Sequence, residues 1–214
     1  MKHPNHHILF AAFIAALLFA QSNLSAQQRI NFGVHAGEGI VVDILQPDVL
    51  DFGDRFSGEG PVSITPWDES EGDVVPLSIT GVEYLDVTVT LTPPPGNKIL
   101  LQGNTDPNDD QRSMPVNIKM AYYNTGPGGE VGEDLITAKA AAQEVTGDMV
   151  TFQIRRRPGG PPGPPPTPPH SGYVPPKSVA YLFIYGDLTV GNVNAGPYSG
   201  DINIHVEYST YAFD

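Results

Sequence analysis

Residues 84–92 read Tyr-Leu-Asp-Val-Thr-Val-Thr-Leu-Thr, with Leu85, Val87, Val89 and Leu91 at every second position and Asp86, Thr88, Thr90 and Thr92 alternating with them. In an extended chain successive side chains point to opposite faces, so this stretch is a strand with one face for a core and one for water. The same period recurs on both sides of it. Val116, Ile118, Met120 and Tyr122 alternate with polar or small residues, as do Val150, Phe152 and Ile154. Near the end, Ile202, Ile204, Val206 and Tyr208 alternate with Asp201, Asn203, His205 and Glu207. All of these read as half-buried antiparallel strands. Gly39 to Leu45 and Val179 to Tyr185 are apolar on nearly both faces, which predicts central strands covered twice. Breaks rich in Gly and Pro separate the runs: Gly53 to Pro61, Pro93 to Gly96, Gly126 to Gly129, and Gly196-Pro197. Many short strands so punctuated predict an all-β chain, a sandwich or barrel. Glu133 to Glu144, Ala-rich with an acidic start, is the one helix candidate.

The chain has 214 residues, 40% hydrophobic, with no Cys and a formal net charge of −13. Lys2 and three His precede an apolar run from Ile8 to Ala20, too short to span a bilayer. A polar stretch then ends in Leu24-Ser25-Ala26, so residues 1–26 read as a secretory signal peptide cleaved after Ala26. The remainder, residues 27–214, carries 10 basic against 24 acidic residues, a net of −14. That charge makes nucleic acid and anionic membrane poor partners, and none of either is expected. Zero Cys excludes a lipid anchor on an N-terminal Cys, a thiolate metal site and a Cys nucleophile. After Ala26 no apolar run is long enough for membrane insertion, so the expected location is exported, at the cell surface or extracellular, with periplasmic transit allowed.

Residues 158–176 hold ten Pro and four Gly, which forbids a packed strand or helix there. This is a Pro- and Gly-rich loop within a single domain of residues 39–214, a semi-rigid insertion or a polyproline docking segment. Arg155, Arg156 and Arg157 enter it as the one concentration of positive charge, either solvated or paired with an acidic neighbour.

Asn104, Asp106, Asn108 and Asp110 alternate oxygen donors like the start of a Ca²⁺ loop. Asp109 stands where such a loop needs Gly, and Pro115 where it needs a bidentate Glu, so no metal site is assigned and a polar turn is the simpler reading. Asp68, Glu69, Glu71 and Asp73 form a second acid run, read as a solvated loop. Of the His residues after the signal segment, His35, His170 and His205, none has a catalytic neighbourhood. There is no Gly-x-Ser-x-Gly, no His-Glu-x-x-His and no phosphate-binding Gly loop. No catalytic residue and no cofactor is therefore expected, and the chain reads as a non-enzyme. Trp67, beside Asp68, is a packing anchor or a stacking surface for a sugar.

Two segments resemble a known family. They are Ile44 to Gly53, ILQPDVLDFG, and Ile184 to Tyr208, IYGDLTVGNVNAGPYSGDINIHVEY. Leu50, Phe52 and Gly53 in the first, and Gly186, Leu188, Val190, Gly196, Tyr198, Ser199, Gly200 and Tyr208 in the second, resemble the bacterial domain-of-unknown-function family numbered 4402. That family is similar to spore coat protein U domains and fimbrial subunits. With Leu77 to Gly81 the resemblance spans about Gly39 to Tyr208. It implies an immunoglobulin-like antiparallel β-sandwich, exported and used at the cell surface, with no chemistry to carry over. In the fimbrial relatives a subunit is completed by an extended strand from its neighbour.

Residues 27–38 are either an N-terminal extension paired in their own sheet or a donor-type strand of this kind. Ile30, Phe32 and Val34 alternate with Asn31, Gly33 and His35, and these three apolar residues are the candidate assembly contacts. Phe213 near the end is similar to the chaperone-read terminus of such subunits. The expected function is thus a secreted, non-enzymatic surface structural or adhesive protein, a pilus-like or coat-like subunit that self-associates or joins other surface subunits by strand exchange. The alternative is a secreted glycan- or Ca²⁺-binding module. A third reading, a charge suited to a saline habitat, concerns solubility alone.

Overall fold

Asp86–Thr92 is a strand whose Val87, Val89 and Leu91 are buried while the residues between them are not. The computed structural model describes residues 26–37, 39–67, 74–126, 135–157 and 174–209. Residues 1–25 of the expected signal peptide, the acid run from Asp68 to Asp73, Pro158 to Tyr173 with His170, and Phe213 lie outside the described residues.

In chain order the strands are β1 (Ala26–Ala36), β2 (Val41–Ile44), β3 (Leu50–Arg55), β4 (Gly60–Ile64), β5 (Val75–Val82), β6 (Asp86–Thr92), β7 (Lys98–Leu101), β8 (Ser113–Asn124), β9 (Gln143–Glu144), β10 (Met149–Gln153), β11 (Lys177–Val190) and β12 (Tyr198–Tyr208). A helix, α1 (Leu135–Ala140), lies between β8 and β9. Among the described residues the strands make one curled, mixed, twelve-stranded sheet.

The pairing falls into two groups. In the first, β1 lies between β3 and β12, β6 and β7 share the far side of β12, and β10 pairs with β6. In the second, β4 and β5 share one side of β11, β8 takes the other, and β2 and β9 pair outward on β5 and β8. β8 belongs to both. Its Ser113, Met114 and Pro115 pair with β7, and from Val116 to Asn124 it pairs with β11. Side chains at alternate positions of both groups fill one continuous core, which includes Ile30, Leu50, Leu77, Val89, Met120, Leu182 and Ile204.

Three expectations need correction. Val179 to Tyr185 is central as expected, with Leu182, Phe183, Ile184 and Tyr185 all buried. Gly39 to Leu45 is not: β2 closes the strand order with β5 as its one partner among the described residues, and Val41 is 49% exposed. The outer edge of β2 is open, and one face is uncovered too, since Val41 and Asp43 are exposed while Val42 and Ile44 on the other face are half-buried. The strands are also not uniformly antiparallel, because β1 runs parallel to β12 from Gln28 opposite Tyr198 to Ala36 opposite Val206. The helix over Glu133 to Glu144 is shorter than its composition suggests. α1 ends at Ala140, and Gln143 and Glu144 pair with Tyr122 and Ala121 as β9.

Candidate functional site

β1 is placed by its neighbours. Arg29 pairs through its side chain with Asp51 of β3 at 3.4 Å, and Asn31 donates to Asp201 of β12 at 3.2 Å. Ile30 is fully buried, Phe32 and Val34 pack half-buried against the core, and His35 is exposed beside His205 of β12. Thus two of the three candidate assembly residues keep part of their surface in water. The ladder to β3 covers only Ala26 to Ile30, so from Asn31 to Ala36 the side of β1 away from β12 has no strand partner among the described residues. Such an open edge is a template for pairing with another chain.

The residues that carry the family resemblance are spread over β3, β11, β12 and the link before β12. Leu50, Phe52, Leu188 and Tyr198 are buried. Gly186 sits where β11 approaches β8 so closely that a Cβ would collide with the Asn117 carbonyl oxygen, a backbone atom that cannot swing aside. Gly53 has φ +74°, a conformation glycine adopts freely. A Cβ on Gly200 would press on Ile99 and Pro94 at 3.0 and 3.1 Å, and one on Gly196 would meet the Leu101 side chain. The Tyr208 hydroxyl accepts the Val82 N–H, and the Tyr198 hydroxyl donates to the Asn194 carbonyl, both at 2.8 Å. Burial raises the Tyr198 phenol above its ordinary range. These positions specify backbone paths and present no reactive group.

The Asp106 loop turns its oxygens on itself. Asn104 Oδ1 accepts the Asp106 N–H at 3.1 Å, Asp106 Oδ1 the Asn108 N–H at 2.9 Å, and Asp109 Oδ1 the Gln111 N–H at 3.1 Å. Asp110 pairs with Lys98 at 3.0 Å. This is a run of turns in which each side chain caps the backbone two residues on. Among the described residues no three His, Asp or Glu side chains gather as a metal site.

Arg155 and Arg157 are drawn partly inward, while Arg156 stays exposed. Arg155 pairs with Glu83 at 2.9 Å with both side chains mostly buried, Arg157 donates to the Tyr84 carbonyl at 3.3 Å, and the Arg156 guanidinium lies over Gly126. On β11, Tyr185 is buried, meets Trp67 edge to face at 5.8 Å and donates to Glu144 at 3.1 Å. Burial, reinforced by the Glu144 carboxylate, pushes the Tyr185 phenol well above its ordinary range. Next along the strand, partial burial opposes the charge of Asp187. Lys119 at 2.7 Å and the Ser63 hydroxyl at 2.7 Å outweigh it and hold the carboxyl below its ordinary value. His205 lies 3.4 Å from Glu207 on an exposed face.

No sequence motif marks a cavity of about 220 Å³ at the start of β1, lined by Gln28, Arg55, Phe56, Val193 and Tyr198 among others. Gln28 and Tyr198 are 170 positions apart, and only the parallel register makes them neighbours. No family model matches this chain, and no curated protein matches its sequence.

Proposed function

We propose that the chain is an exported, non-enzymatic structural or adhesive component of the cell surface, an immunoglobulin-like β-sandwich that assembles as a pilus-like or coat-like subunit by exchange of β1. The observation that carries this reading is the position of β1: a single segment at the start of the described chain, inserted between β12 and β3, with Ile30 in the core and an open edge beyond it. A slot that accepts this strand from its own chain accepts the same residues from an identical neighbour, so exchange needs no new contacts. The short connection to β2 contains Gly37 and Gly39, the latter at φ +78°. The two strand groups joined through β8 support a sandwich, and the resemblance of the closing segment to coat and fimbrial domains supports the surface role.

Light scattering on residues 27–214, beside a variant lacking residues 27–38, tests it. The reading expects multimers from the longer chain, monomers from the shorter, and multimer formation blocked by an excess of a peptide of residues 27–38. A longer chain that stays monomeric at high concentration overturns it. A second reading, a glycan-binding module, rests on Trp67, which is 48% exposed with its ring braced against Tyr185. Calorimetry with a panel of polysaccharides, repeated on Trp67→Ala, decides between the two.

A further inference from the structure

The cavity at the start of β1 combines three features that arise independently. The first is a polar atom without a partner. Gln28 is 2% exposed, lines the cavity, and its Oε1 has no hydrogen-bond partner among the described residues. A buried acceptor left unsatisfied is costly and rare in a packed fold. The second is a break in the ladder beside it. Gln27 faces Asp54 but Arg29 faces Asp51, so β3 carries an extra residue opposite Gln28, with Gly53 at φ +74° and its N–H bound to Asp51 Oδ1 at 2.8 Å. Bulges of this kind re-aim a side chain and cluster beside binding sites. The third is a held, mostly apolar wall. Val193 and Tyr198 line it, the Ser57 hydroxyl ties the Val193 segment at 3.0 Å, and Phe56 stands 80% exposed at the rim.

The charge nearby is already balanced. Arg55 donates to the Phe52 carbonyl and pairs with Glu59 at 3.2 Å, so an ionic ligand has no free partner there to favour it. An engineered apolar cavity of roughly 150 Å³ takes up benzene, so about 220 Å³ has room for a substituted ring. We infer that this cavity is a binding site for an uncharged aromatic ring bearing one hydroxyl, a phenol-type group whose O–H donates to Gln28 Oε1 and whose ring is covered by Val193, Tyr198 and Phe56. This holds whether β1 is supplied by the same chain or by a neighbour.

Amide-detected NMR titration of residues 27–214 with p-cresol, toluene and N-acetyltyrosinamide tests it. The expected result is a shift of the Gln28 side-chain amide and p-cresol binding about tenfold tighter than toluene, the gain of one buried hydrogen bond. Gln28→Leu removes that preference while toluene still binds. Ala195→Trp, on an exposed loop position at the cavity, blocks both ligands without touching the core. Tighter binding of N-acetyltyrosinamide than of p-cresol assigns the group to a tyrosyl side chain of a partner, and the reverse order to a free phenol. Equal affinity for p-cresol and toluene, or shifts that spare Gln28 and Tyr198, overturns the inference.

Discussion

The Tyr208 hydroxyl, at the end of β12, accepts the backbone N–H of Val82, at the end of β5, at 2.8 Å, and Gly81 leaves room for it: a Cβ there would lie 3.0 Å from the Tyr208 oxygen. β12 and β5 belong to different strand groups and share no ladder. Tyr208→Phe keeps the ring and strands the N–H. Urea unfolding should show a loss of about 1–2 kcal/mol with an unchanged slope.

Two glycines should respond differently to alanine. At Gly186 the new methyl meets the Asn117 carbonyl across a central pairing, so Gly186→Ala should destabilise by about 3 kcal/mol or prevent folding. At Gly53 nothing stands within 4 Å, and only the φ of +74° opposes a side chain. Gly53→Ala should lose about 1 kcal/mol, measured by the same unfolding curves.

Along β1, burial grades the effect of truncation. Ile30→Ala removes a fully buried side chain and should lower stability by about 3 kcal/mol. Val34→Ala, half in water, should lose about 1 kcal/mol or less. Thermal midpoints of the two variants check the order.

Asp187 makes stability depend on acid pH in a defined direction. Its folded carboxyl is held below the ordinary value of 3.8, so its contribution is present in full above that pH and disappears as pH falls through the lower, folded value. Lys119→Met removes the closer charge. The stability difference from the parent should be a few tenths of a kcal/mol near neutrality, since both side chains are about one-third exposed, and should vanish in strong acid. Urea midpoints at pH 7 and pH 2.5 measure it.

The Asp106 loop should ignore Ca²⁺, because its oxygens already cap backbone N–H groups. Millimolar Ca²⁺ should leave the thermal midpoint unchanged from that in chelator. Asn104→Ala should lower it by an amount equivalent to about 1 kcal/mol, through the lost Asp106 N–H and the Arg112 carbonyl that Asn104 Nδ2 reaches at 3.0 Å.

Strand content was legible because alternation is a local signal: Val87, Val89, Ile202 and Ile204 announce their buried faces without reference to any partner. Which strand lies beside which is a different matter. The parallel neighbours β1 and β12 are joined by no turn, and nothing near Ile30 in the chain indicates Gly200 as its partner. Gly39 to Leu45 reads as a central strand because apolar composition does not report whether a second layer covers the outer face or a second strand the outer edge. The oxygen run from Asn104 to Asp110 reads the same for a cation and for turns. The difference lies in whether nearby N–H groups claim the oxygens, and that depends on backbone geometry. Gln28 carried no signal, since a lone glutamine in a strand becomes notable only when a bulge and a distant tyrosine close a cavity around it.

The parallel run of β1 and β12 has a mechanical consequence. A pull that enters at the start of β1 and leaves at the end of β12 acts along the pair in opposite senses, from Gln28 against Tyr198 to Ala36 against Val206. The hydrogen bonds between the two strands then share the load in shear and must yield together, where a hairpin pulled from its open ends parts one bond at a time. A chain strung between two anchors by these ends would resist tension as a clamp does.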